Sequence, residues 1–201
     1  MNRLNRGLIS SSNHWWAVVL VVVLNFSAFV ILFGLEDQFE ALTAFPVYDT
    51  QNDLTAEALL TQLPLYQGEA RSAYLRFAAF DFVFPLVAGL FVAVLWALFL
   101  RLNTWRIPQR LLALGLPLFP LIVTVWDWLE NVSLLVVLSA GASPDPAFIN
   151  AVLLFKRLKL AGLALSGAGT SLLLLLLLLN VLYRLSLDFN RRRQSSRAPT
   201  V

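Results

Sequence analysis

The sequence predicts an all-α integral membrane protein, a four-transmembrane-helix bundle with a short amphipathic helix in its first outer loop. Three observations carry this. Of the 201 residues, 59% are hydrophobic and 13% charged, whereas soluble domains run nearer a quarter charged. The apolar residues fall in four blocks, each meeting the roughly 20 residues needed to cross a bilayer. Basic residues gather before the first block, between the second and third, and after the fourth, while the loop after the first is acidic. That asymmetry orients spans.

Residues 1–14 are expected to form a cytoplasmic N-terminus carrying Arg3 and Arg6. The block 15–35 is too long for the apolar core of a cleaved signal peptide, and no small-x-small site follows it. It reads as a retained span. The outer loop 36–72 holds Glu36, Asp37, Glu40, Asp49, Asp53, Glu57 and Glu69. Within it, NDLTAEALLTQL offers Asn52 or Asp53 as a helix cap, then apolar residues at helical spacing up to Pro64. A helix on the membrane surface or lidding the bundle fits this pattern, and so does a plain connector.

The second span covers 73–100, and the cytoplasmic loop 101–110 carries Arg101, Arg106 and Arg110. The third span covers 111–140. In the outer turn 141–147, Ser143 is the expected cap, with Pro144 or Pro146 in the first turn of the last span, 148–183. The segment 184–201 is a basic cytoplasmic tail, Arg- and Ser-rich and expected to be disordered after Asp188, with Arg191, Arg192 and Arg193 suited to anionic lipid headgroups. The positive-inside rule then puts both termini in the cytoplasm of a bacterial-type inner (plasma) membrane.

Composition also excludes. With no cysteine there are no disulfides, thiolate zinc sites or iron–sulfur clusters. One histidine, His14, cannot supply bis-histidine haem ligation. No cofactor is expected. The net charge of +3 reflects membrane topology rather than nucleic-acid binding.

The candidate site comes from WDWLEN, residues 126 to 131, where Asp127, Glu130 and Asn131 interrupt an apolar block. They stand at i, i+3 and i+4 and share a helix face. Counting from the outer surface, Asp81 falls about 12 Å down at 1.5 Å per residue. Asp127, Glu130 and Asn131 fall at a similar depth from the other end of the third span, as do Lys156, Arg157 and Lys159 on the fourth. Buried charges need partners, so Asp127 and Glu130 are expected to face Lys156 or Lys159, with Asp81 close by.

Asp81, Asp127 and Glu130 are the candidate acid and base groups. Asn131, Lys156, Lys159, Arg157, Tyr74 and Arg76 are the candidate binding groups. Arg157 and Lys159 could equally snorkel outward, and Tyr74 and Arg76 could anchor the interface. A metal is not expected, because Lys156 stands beside the carboxylates. Pro85, four residues after Asp81, should free the Asp81 carbonyl and kink the second span. PLFP, Pro117 to Pro120, should do the same in the third. Gly162, Ser166 and Gly169 form a stripe for close helix packing.

The favoured expectation is a pocket that binds or processes a lipid-like amphiphile. An acid–base pair beside an ammonium group could serve isomerisation, cyclisation or hydrolysis. The alternatives are an assembly subunit, with membrane lipids, a membrane partner or a second copy of the chain against the small-residue stripe, and a small transporter or proton-coupled carrier. The transporter lacks a polar path through the inner half and an inverted repeat.

Overall fold

A computed structural model of the protein describes residues 3–141 and 143–195, the side chains of 190–195 excepted. The described residues are 87% helix with no strand, and four helical stretches are long and apolar enough to cross a membrane. The first is α2 (Trp15–Thr43). The second is broken into α4 (Gly68–Asp81) and α5 (Phe84–Leu102). The third is α7 (Phe119–Ser139), entered through a 3₁₀ turn at Leu116–Leu118, and the fourth is α8 (Pro146–Ser195).

α2 runs eight residues past the expected end at Leu35, to a left-handed Ala44 whose N–H returns to the Glu40 carbonyl. That is a helix stop built without glycine. Glu36 is therefore a helical residue inside the packed region, not part of a loop. Between α2 and α4, a 3₁₀ turn at Tyr48–Thr50 and α3 (Ala56–Gln62) fold inward over the end of the bundle. The helix expected in this loop is present, but its cap is Thr55, whose hydroxyl accepts from the Ala58 N–H, rather than Asn52 or Asp53. Its Leu59, with Val47 and Tyr48, is fully buried against Phe39, Tyr74 and Phe77. Tyr48 and Tyr66 stack at 4.3 Å, and Tyr66 meets Tyr74 edge-on at 5.0 Å. This loop is a packed cap.

At the opposite end, two short helices not anticipated from the sequence lie across the bundle: α1 (Arg3–Ser12) and α6 (Arg106–Leu114). Asn5 donates to the Leu112 carbonyl, and Arg101 to that of Ser12, tying α1 to both α6 and α5. Because α6 ends at Gly115 (φ 87°), Pro117 and Pro120 do not kink a continuous span. They sit at the start of a new helix, where a missing N–H is harmless.

The Pro85 expectation holds more closely. The second span breaks at Phe82–Val83, and α7 side chains take the carbonyls at the break. Asn131 reaches Asp81 O at 3.3 Å, Trp128 Nε1 reaches Phe82 O at 2.8 Å and Thr124 reaches Pro85 O at 2.8 Å. α7 thus fixes the break that a lone proline would leave loose.

α8 is 50 residues, about 75 Å long. Its first turn is capped by Asp145, whose carboxylate accepts from the Ala147 N–H, and not by Ser143. It continues through Ser195, so residues 189–195 are helical where disorder was expected. The side chains of Arg191, Arg192 and Arg193, and all of Arg197, lie outside the described residues.

α8 packs chiefly along α7 and then α5, whereas α2 packs along α4 and α5. The small-residue stripe is consumed in these contacts. A Cβ on Gly162 would lie 2.7 Å from Val123 Cγ2, and one on Gly169 would lie 2.6 Å from Trp96 Cζ2. Trp96 cannot yield, because Phe119 stacks on it at 6.0 Å and its indole N–H donates to Thr170 at 2.7 Å. Gly169→Val is therefore expected to destabilise by about 1–3 kcal/mol through overpacking. Thermal unfolding in detergent measures it, and an unchanged melting temperature would mean that α5 and α8 can part freely.

Candidate functional site

The break in the second span, the face of α7 and the first turns of α8 bring the charged groups together, and the cap closes over them. Lys156 Nζ lies 2.7 Å from Glu130 Oε1, and Lys159 Nζ lies 2.7 Å from both Asp127 Oδ1 and Glu130 Oε2. Asp81 Oδ2 accepts from Asn131 at 2.8 Å. The pairing expected from helix spacing is present, with Glu130 shared between both lysines.

Two groups were not foreseen. Lys156 also donates to the backbone carbonyls of Tyr48 at 2.9 Å and Asp49 at 3.1 Å, so α8 holds the cap from beneath. Asp49 itself joins the cluster, its Oδ2 accepting from the Tyr74 hydroxyl at 3.2 Å. The hydroxyl of Thr50, next in the chain, donates to Glu36 on α2. The only signal for Asp49 in the sequence was its place in an acidic loop shared with six other carboxylates, which does not distinguish it. Tyr74 is buried inside this network and not an interfacial anchor. Arg76 and Arg157, both offered as binding groups, are exposed and make no ion pair among the described residues. On α4 and α8 they fall on the faces turned away from Tyr74 and Lys156.

The cluster has two tiers. Glu130, Lys156 and Asn131 sit behind, with Glu130 fully buried. Asp49, Asp81, Asp127 and Lys159 line a cavity of 230 Å³. Its remaining wall is mostly apolar and includes Phe77, Phe84, Ala88, Val92, Leu160 and Leu163, with Thr50, Thr124 and Ser166 among them. It extends along the bundle to Ser166, and its rim includes exposed Asn52 at the cap and half-exposed Leu163 on the apolar flank. Two polar atoms of its lining residues are buried without a hydrogen-bond partner, Asp49 Oδ1 and Ser166 Oγ. Buried polar atoms are rarely left unmatched.

Burial pushes the Asp49 carboxyl up to about 6, with Lys159 and Lys156 pulling it down and Glu130 and Asp127 pushing it up. Burial also raises the phenols of Tyr48 and Tyr66 above their ordinary range, so both remain hydroxyl groups. A raised carboxyl pKa means the folded protein holds that proton more tightly than the unfolded chain. Its contribution to stability is complete below the ordinary value of 3.8 and is lost as pH rises through about 6. Relative to Asp49→Asn, the unmodified protein should lose about 3 kcal/mol across that window. Parallel pH–stability curves for the two proteins would contradict this.

No family model, curated protein or solved structure matches the chain. What the site does must therefore be argued from its own geometry.

Proposed function

We propose that this is an integral membrane protein that binds a lipid-like amphiphile in the cavity between its helices. Insertion is supported by the surface: Trp15, Val23, Phe26 and Val30 on α2, and Leu172, Leu175 and Leu178 on α8, are all exposed. Apolar faces of that extent are rare on soluble monomers. The basic residues of α1, α5 and α6 gather at one end, which supports a cytoplasmic side of a plasma membrane for that end and for both termini, with the cap outside. Leu4 on α1 and Ile107 and Leu114 on α6 are exposed beside these arginines, as helices lying in the interface would be.

The observation that carries the binding reading is the polarity gradient of the cavity. Its cap end is lined by three carboxyl groups and one ammonium group, and its length mostly by hydrocarbon, with the hydroxyls of Thr124 and Ser166 as the polar exceptions. An amphiphile has the same gradient, headgroup to tail. At 230 Å³ the cavity is below the usual range for drug-sized ligands, about 300–1,000 Å³. It suits a compact headgroup and the first part of a chain, with the remainder leaving past Leu163 into lipid. If the ligand is also processed, the cavity-facing carboxyls Asp49, Asp81 and Asp127 are the groups placed to exchange protons with it.

The assembly reading has less support, because Gly162 and Gly169 are already packed by Val123 and Trp96. The test is a cavity-filling change. Ala88→Phe should leave the fold intact yet strip the purified protein of an amphiphile that the unmodified protein carries in stoichiometric amount by mass spectrometry of extracted lipids. Identical lipid complements in the two proteins would overturn the reading.

A further inference from the structure

The cluster contains more acid than base, and the surplus faces the cavity. Four carboxyl groups, Asp49, Asp81, Asp127 and Glu130, share the ammonium groups of Lys156 and Lys159. Lys156 is occupied by Glu130 and two carbonyls, and Lys159 by Asp127 and Glu130. Asp81 and Asp49 are left with neutral donors only, the Asn131 amide and the Tyr74 hydroxyl. Both line the cavity and are more than nine-tenths buried, at 4% and 8% exposure. Asp49 Oδ1 has no hydrogen-bond partner at all. A buried carboxylate in this position requires a positive charge or a proton donor. Among the described residues, no three Asp, Glu or His side chains gather as a metal site would need. The missing partner is therefore one that brings N–H donors as well as charge.

Resting on the amphiphile reading above, we propose that the ligand's headgroup is a primary or secondary ammonium, held between Asp49 and Asp81. Its N–H groups satisfy Asp49 Oδ1 and share Asp81 with Asn131, while its chain runs along Phe84, Ala88 and Leu163. Ser166 Oγ, about 10 Å beyond Lys159 along α8 at 1.5 Å per residue, offers one polar contact along that chain. A phosphate or carboxylate head would meet three cavity-facing carboxyl groups against a single lysine that is already paired. A hydroxyl head could donate but would leave the charge unmatched.

The experiment is native mass spectrometry of the full-length protein in a neutral detergent. The probes are dodecylamine, dodecanol and dodecyl phosphate, which share one chain length. Dodecylamine is expected to bind at least about tenfold more tightly than the other two, as a charge-assisted hydrogen bond implies. Asp81→Asn should lose that preference while keeping or raising the melting temperature, since it removes a buried carboxyl group that no cation of the protein pairs with among the described residues. Ala88→Phe should abolish binding of every probe. Dodecanol or dodecyl phosphate binding as tightly, and still blocked by Ala88→Phe, would overturn the ammonium headgroup and leave the cavity reading in place. No binding by any probe would overturn both. A large fall in melting temperature for Asp81→Asn would make Asp81 a structural pair and would also overturn the proposal.

Discussion

Glu130→Gln is expected to destabilise the protein by about 3–5 kcal/mol, the usual result of removing one partner from a buried ion pair. Glu130 is fully buried and lies 2.7 Å from both lysine ammonium groups. Glutamine keeps one acceptor oxygen but no charge, and its NH2 group faces the second lysine, so Asp127 alone remains as a charged partner in these pairs. The melting temperature should fall on the order of 10 °C for a chain of this size. Circular dichroism in detergent measures it directly. No fall would mean that the rear tier is not what fastens α7 to α8.

Lys156→Met is the second large effect, and it acts at a distance. Lys156 bonds α7 and the cap at once, through Glu130 and through the carbonyls of Tyr48 and Asp49. Methionine fills similar space but donates nothing, so the Asp49 carbonyl becomes a buried acceptor without a partner, at about 1–3 kcal/mol, while the Tyr48 carbonyl keeps only the Gln51 N–H at 3.3 Å. Glu130 retains Lys159, so the electrostatic loss is partial. The expected result is a total near 3–5 kcal/mol with a local signature. Amide exchange across residues 44–67 should accelerate more than exchange in α7 or α5. Uniform acceleration would show that the cap is held by its tyrosine packing alone.

These two expectations, with the contrasting one for Asp81, separate roles that the sequence left merged. Helix spacing was enough to bring Asp127, Glu130, Lys156 and Lys159 to one depth, because i, i+3 and i+4 positions fix a face and charges in an apolar block need partners. It could not divide them into a rear tier and a cavity tier, since that depends on how far α2 stands from α8. Nor could it find Asp49, which is 32 residues before Asp81 and reaches the site only because the loop folds inward on Tyr48 and Leu59. Local rules misplaced the caps at Ser143 and Asn52, where neighbouring residues with the same chemistry, Asp145 and Thr55, serve instead. The PLFP prolines were read as a kink because the apolar block is continuous in composition. Gly115 in a left-handed conformation ends α6 at Leu114, within that apolar block. α1 was missed because its apolar face is only Leu4, Leu8 and Ile9, and its burial comes from Asn5 reaching α6 across the fold.

The most direct test of an occupied cavity is photo-crosslinking in bilayer nanodiscs, using twelve-carbon chains with a mid-chain diazirine and ammonium, hydroxyl or phosphate heads. Labelled residues are then mapped by mass spectrometry. Binding inside the bundle predicts saturable labelling at Ala88, Val92 and Leu160 by at least one of these probes, lost on Ala88→Phe. Labelling confined to the outward faces of α2 and α8, rising without saturation for every headgroup, would contradict it.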